Sequence, residues 1–242
     1  MEILIHNSTP TAKTPAVPLS SGLRLVQQRT SEMPAVLSMT LRRAELHRRL
    51  WHMLPGLLPL ILAPVERLRP LPWEFLAMIA GLTLLLSGAA LWCYRTIARE
   101  GETNWALNAM SFSAILLPPL FLFPAHPELA CVVVAVLAIG DGAATLFGIL
   151  FGGQTLPWNK SKTWVGFCSF FFGALPLAAL TYWAVAEPSV PFGVAIFCVL
   201  PAVLIAQVSE SLPVGGTDNF RVGAAAMVGV LVGHTAMLGW PS

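Results

Sequence analysis

Long apolar runs recur along most of this chain, separated by short polar segments. The runs occupy residues 50–65, 75–94, 105–123, 129–151, 163–186, 192–208 and 222–240. Most have about 20 residues, the length that a helix needs to cross the ~30 Å hydrocarbon core of a bilayer. Helices are required there because lipid offers no partner to backbone N–H and C=O groups. The pattern predicts an all-α integral membrane protein with about seven transmembrane helices, the first of them short and broken by proline.

Composition excludes an ordinary soluble domain. Charged residues make up 11% of the 242 residues, against roughly 25% in soluble proteins. Hydrophobic residues reach 56% and the mean hydropathy is +0.72. One aqueous core could not bury so many apolar runs, so lipid must be the solvent for most of the chain.

Basic residues are concentrated at the front of the chain. Residues 1–50 contain seven of the 14 Lys and Arg residues. They lie directly before the first apolar run and form no separate folded basic face, which argues against a nucleic-acid partner. With seven spans and a cytosolic N-terminus, 12 of the 14 basic residues fall on the cytosolic side. This bias predicts that the N-terminus is cytosolic.

The chain divides into a tail and one membrane domain. Residues 1–38 are rich in Pro, Ser and Thr and lack the apolar core of a signal peptide, so we expect a disordered cytosolic tail. Residues 39–242 are expected to form a single transmembrane helical domain.

A carboxylate, Asp141, interrupts the fourth apolar run in its predicted cytosolic half. An acidic side chain at that depth costs at least ~2.5 kcal/mol unless it faces water, a cation or a polar partner. Gly140 and Gly142 flank it and leave the backbone bare. Asp141 is therefore a candidate functional residue, with a structural contact to a neighbouring helix as the alternative.

The next polar segment leads into a predicted helix start at Thr163. It contains Asn159, Lys160, Ser161 and Lys162. Two ammonium groups, two hydroxyls and the positive end of a helix favour an anion such as phosphate. Alternatively, the lysines only anchor the predicted cytosolic side of the protein.

Two further polar clusters are predicted on the same side of the membrane. Asp218 and Asn219 follow the sixth run; they are either oxygen ligands for Mg²⁺ or an ordinary turn. Glu45, Arg48, Arg49 and His52 have the spacing of one helix face. That face could carry catalytic groups, or it could hold anionic lipid at the interface.

Three motifs, in order, resemble those of the dolichol kinase, phytol kinase and CTP-dependent diacylglycerol kinase superfamily. They are ELHRRLWHMLPG, GDGAATLFGILFGGQTLPWNKSKTWVGFCSFFFG and SESLPVGGTDNF. The resemblance implies a magnesium set of Asp141, Asp218 and Asn219. It implies a phosphate-binding set of Asn159, Lys160, Ser161, Lys162 and Thr163. The catalytic set that it implies is Asp141, Lys162, His52 and Glu45.

The activity that the resemblance implies is CTP-dependent phosphorylation of a membrane lipid alcohol. The acceptor would be a prenol such as phytol or dolichol, or diacylglycerol, and the reaction would take place at the cytosolic face. The distantly similar phosphatidate cytidylyltransferases are one alternative. A small transporter or membrane scaffold that uses Asp141 as a proton or cation site is another.

Overall fold

The structure is a computed structural model that describes residues 49–50, 53–57, 59–60, 72–97, 105–214 and 218–241. All of them belong to the compact unit Leu46–Ser242. The predicted disordered tail, Glu45 and His52 lie outside the described residues.

Six long helices make up most of the described chain. They are α1 (Trp73–Ile97), α2 (Trp105–Leu122), α3 (Pro127–Phe151), α4 (Trp164–Val185), α5 (Phe192–Ser211) and α6 (Asp218–Leu238). A 3₁₀ turn, Leu54–Leu57, precedes them. Within the described residues, β-structure is limited to one isolated bridge between Thr155 and Thr163. The predicted all-helical fold is confirmed for this part of the chain.

Four helices, α3 to α6, are long and apolar enough to cross a membrane. Shorter apolar helical stretches lie at Trp73–Ala89 and Ser113–Leu122. The protein is therefore a multi-pass integral membrane protein. Seven spans and a cytosolic N-terminus stay predictions, because the first predicted run, 50–65, is described only in fragments.

Helix α3 is the most enclosed of the four. In its most apolar stretch 78% of the residues are buried, against 33–39% in α4, α5 and α6. Its side chains Val132, Val133, Val136 and Leu137 belong to the main apolar core together with residues of α4, α5 and α6. A polar residue on α3 consequently lies among helices and needs a partner from one of them.

Asp141 follows a π-helical segment of α3, Val136–Gly140. Such segments frequently occur at functional sites. The flanking glycines allow close packing: a Cβ at Gly140 would lie 2.6 Å from the ring of Phe170, and one at Gly142 would lie 2.2 Å from Cγ of Met53. The two glycines that flank Asp141 therefore allow Phe170 and Met53 to pack closely against this part of α3.

Candidate active site

A polar cavity of about 230 Å³ lies where α3, the start of α4 and the end of α5 meet. Its polar lining consists of Arg49, Thr145, Ser161, Lys162, Thr163 and Glu210. Ala144, Gly148, Ile149, Gly166 and Phe167 complete the wall. The cavity thus combines two cationic side chains, one carboxylate and several hydroxyl groups.

Small residues let α3 and α4 approach each other beside this cavity. A Cβ at Gly166 would lie 2.7 Å from the carbonyl oxygen of Ala144. A Cβ at Gly148 would lie 3.3 Å from Oγ1 of Thr163. The contact leaves Thr163 and Lys162 facing the same space as the last turns of α3.

The loop before α4 is held in shape by backbone hydrogen bonds. The amide of Leu156 donates to the carbonyl of Lys162 at 2.9 Å, and the amide of Trp164 donates to that of Gln154 at 3.0 Å. The tip of the loop carries Lys160, which is exposed. Of the two predicted phosphate-binding lysines, Lys162 lines the cavity, whereas Lys160 is not among the cavity-lining residues in the described chain.

Asn159 fastens this loop to the end of α5. Its Nδ2 donates to the carbonyl of Ser211 at 3.1 Å. Its Oδ1 accepts from the amide of Ser161 at 3.1 Å and from the hydroxyl of Ser161 at 2.7 Å. Asn159 is also buried. Both polar ends of its side chain are bonded within the protein, so Asn159 fixes the shape of the loop. Its part in phosphate binding stays a prediction.

Thr163 is the N-cap of α4, as the predicted helix start implies. Its Oγ1 accepts from the amide of Gly166 at 3.1 Å. This bond satisfies one of the free amides of the first turn. Since Thr163 and Gly166 both line the cavity, the positive end of the α4 dipole borders the same space as Lys162.

Two ion pairs border the cavity. Nη1 of Arg49 lies 2.9 Å from Oδ2 of Asp141, whose side chain is only 7% exposed. Nζ of Lys162 bonds to Oε1 of Glu210, which is buried. Asp141 and Lys162, both predicted as site residues, are therefore linked to one cavity through Arg49 and Glu210.

The sequence interpretation did not assign Arg49 and Glu210 to the site. Glu210 follows the predicted apolar run 192–208 and lies in the last turn of α5, which extends to Ser211. Arg49 shares a predicted helix face with Glu45 and His52. In both cases the missing information was the partner, which lies 92 residues away for Arg49 and 48 residues away for Glu210.

Asp218 and Asn219 begin helix α6 and do not lie in a turn before it. Oδ1 of Asp218 lies 3.2 Å from Nη2 of Arg221, and the Asp218 side chain is 50% exposed. Arg221 also donates to the carbonyl of Val214 at 2.8 Å. Neither Asp218 nor Asn219 is among the described residues that line the cavity.

An apolar groove of about 660 Å³ is formed by the same two helices, α3 and α4. It is lined by Phe147, Trp164, Val165, Cys168, Ser169, Phe172 and Gly173. Residues that are neighbours in sequence line the two spaces. Phe147 and Val165 line the groove, whereas Gly148 and Gly166 line the cavity. The α3–α4 contact therefore borders both an apolar space and a cationic one.

Comparison with known proteins supports the resemblance seen in the motifs. The chain is 28% identical over 198 residues to phytol kinase 1, chloroplastic, of Arabidopsis thaliana. This match covers 76% of the chain and 64% of the relative. It is 30% identical over 150 residues to the probable phytol kinase, chloroplastic, of Triticum aestivum, covering 59% and 50%. A third relative, the probable phytol kinase 1, chloroplastic, of Glycine max, is 28% identical over 204 residues, covering 75% and 65%.

The chain covers less than two thirds of the length of these relatives. No family model matches it, and no solved structure does. The predicted resemblance to the polyprenol and phytol kinase superfamily is confirmed by these relatives.

Proposed function

We propose that this protein is a lipid-alcohol kinase that transfers a phosphoryl group from a nucleotide to the hydroxyl of a prenol-type alcohol such as phytol. The observation that carries the proposal is the pair of spaces formed by α3 and α4, one cationic and one apolar. A kinase for a membrane-dissolved alcohol needs both, because its two substrates come from solvents of opposite polarity. The similarity to phytol kinases supports the same activity.

The cationic cavity is suited to the polyphosphate of the nucleotide. Arg49 and Lys162 line it, and the N-terminal amides of α4 add the positive end of a helix dipole. Phosphoryl transfer depends mainly on positioning and on charge stabilisation in a site that excludes water. Both cations are already held by carboxylates, so they are pre-positioned before the nucleotide arrives.

Magnesium fits the donor chemistry of this region. Glu210 offers carboxylate oxygens at the cavity, and Asp141 offers them next to Arg49, which lines the cavity. Hard oxygen ligands of this kind, completed by phosphate oxygens and water, are what Mg²⁺ prefers. When bound, the ion would neutralise charge on the transferring phosphoryl group. In our proposal Asp141 and Asp218 are the protein ligands, with Asn219 beside them.

The apolar groove is suited to the acceptor chain. Its lining is dominated by aromatic and aliphatic surface of α3 and α4. A prenol lying there would bring its hydroxyl to the α3–α4 contact, which the cavity also borders. Glu210 lines the cavity and Asp141 is paired with Arg49, which also lines it, so in our proposal one of these two carboxylates takes the hydroxyl proton. His52 and Glu45, outside the described residues, stay predicted members of the site.

CTP as donor belongs to the proposal through the motif resemblance alone. A cytosolic catalytic face belongs to it through that resemblance and the predicted bias of Lys and Arg. The test is a reaction of the full chain in detergent with phytol, Mg²⁺ and each of the four nucleoside triphosphates. We expect phytyl monophosphate, with the highest yield from CTP. No phosphorylated product from phytol, dolichol or diacylglycerol with any nucleotide would refute the kinase. Release of pyrophosphate with a CDP-lipid would indicate a cytidylyltransferase instead.

A further inference from the structure

A second cluster of ligand-type side chains lies at the other end of α3. His126 immediately precedes that helix, Glu128 is in its first turn and His234 is near the end of α6. The cavity is lined by α3 residues from Ala144 onward, roughly 27 Å along the helix from His126 at 1.5 Å per residue. We propose that His126, Glu128 and His234 bind a divalent transition-metal ion, with Zn²⁺ as the first choice. This inference does not depend on the proposed kinase activity.

The geometry of the cluster is close to that of a metal site. One ligand atom from each residue lies within 4.8 Å of the other two. Bonds of about 2.0–2.2 Å to zinc place tetrahedral ligands roughly 3.3–3.6 Å apart. Small rotations of the side chains would bring the three ligand atoms to zinc-binding distances from one ion. Nδ1 of His126 already lies 2.9 Å from Oε1 of Glu128. The two imidazole rings are 5.0 Å apart between centroids.

Two of the three ligand-type side chains are buried. Glu128 is 1% exposed and His234 is 3% exposed. A divalent ion would bind the Glu128 carboxylate and accept electron pairs from both imidazoles. The His126 side chain is 20% exposed, which provides a route for the ion from the surface.

A supporting hydrogen bond orients His234. Nδ1 of His234 lies 2.7 Å from the hydroxyl of Tyr182, on α4. If Nδ1 donates to that hydroxyl, Nε2 carries the free electron pair, as in metal-binding histidines whose other ring nitrogen is held by a second group. Tyr182 is fully buried, so its hydroxyl fixes the orientation of the His234 ring.

The ligand types indicate which metals fit. Two imidazoles and one carboxylate suit Zn²⁺ or Fe²⁺, whereas Mg²⁺ and Ca²⁺ prefer oxygen ligands throughout. The bound ion would tie the start of α3 to the end of α6, and Tyr182 would connect α4 to the same centre. Three protein ligands would leave one position for water.

Metal content and zinc affinity test the proposal. The full chain, purified in detergent without chelators, should contain about one transition-metal ion by mass spectrometry. After chelation and dialysis it should bind Zn²⁺ again, with a rise in its unfolding temperature. Tyr182→Phe should weaken zinc binding by about 10-fold to 100-fold, and His126→Gln and His234→Gln should each weaken it further.

Controls separate loss of the site from loss of folding. Glu187→Gln removes an exposed carboxylate from the α4–α5 loop and should leave zinc binding unchanged. His126→Gln decides the test if His234→Gln does not fold, because His126 is the more exposed of the two ligands. A wild-type protein that neither contains nor binds Zn²⁺, Fe²⁺ or Co²⁺ would overturn the proposal, as would a folded His126→Gln variant with undiminished affinity. Kinase activity is not the readout, so failure of the kinase proposal would leave this test intact.

Discussion

Arg49 and Asp141 form an ion pair of 2.9 Å across 92 residues of sequence. Arg49 lines the cavity, and Asp141 follows the π-helical segment of the most buried helix. The pair joins the segment before the described helices to the middle of the bundle. It also places a guanidinium group where the proposed nucleotide would need one.

Removal of the Asp141 charge should abolish most turnover. Asp141→Asn keeps the side-chain shape but leaves Arg49 without its carboxylate and removes a proposed magnesium ligand. We expect phosphorylation of phytol to fall on the order of 100-fold or more. If Arg49 and Asp141 act as a unit, the double variant Asp141→Asn/Arg49→Gln should lose much less turnover than the product of the losses in the two single variants. Full activity of Asp141→Asn in membranes would remove Asp141 from the site.

Lys162 and Lys160 offer a matched comparison within one loop. Lys162 lines the cavity and bonds to Glu210, whereas Lys160 is exposed at the tip. Lys162→Ala should lower turnover by about 10²-fold to 10³-fold, because it removes a positioned donor to the phosphates. Lys160→Ala should cause a clearly smaller loss. Steady-state rates at varied nucleotide concentration give the comparison, and equal losses would contradict the placement of the nucleotide in this cavity.

Gly166 should be intolerant of a side chain. A Cβ there would lie 2.7 Å from the backbone oxygen of Ala144, so Gly166→Ala must push α3 and α4 apart. We expect a loss of about 1–3 kcal/mol in the free energy of unfolding, together with reduced kinase activity. Gly81→Ala in α1 is the control, because nothing lies within 4 Å of its Cβ position and alanine favours a helix. Thermal unfolding in detergent measures both variants.

Filling the apolar groove should affect the lipid substrate selectively. Cys168 lines the groove and is exposed, so Cys168→Trp should obstruct it. The KM for phytol should rise roughly tenfold or more, while the KM for the nucleotide stays near that of the wild type. Phe197→Trp, at an exposed position of α5, serves as the control. An unchanged KM for phytol in a folded Cys168→Trp variant would show that the acceptor enters elsewhere.

Helix positions could be predicted from the sequence because their signals are local. The run 163–186 and the threonine before it predict α4, which spans Trp164–Val185 with Thr163 as its cap. The predicted ends of two helices were wrong, because polar residues continue the helix beyond the apolar run. Helix α5 extends to Ser211, three residues beyond the predicted end, since Glu210 and Ser211 have partners in the loop before α4. Helix α6 begins at Asp218, four residues earlier than predicted.

The sequence alone therefore determined the membrane class, the helices and the candidate chemistry of Asp141 and Lys162, because run lengths, caps and isolated charges depend on nearby residues. The partners were decided by the tertiary structure. Arg49 meets Asp141, Glu210 meets Lys162 and His126 lies beside His234 only after the helices have packed. Apolar helix faces look alike in sequence whether they meet lipid or another helix, so hydropathy does not encode which polar groups converge.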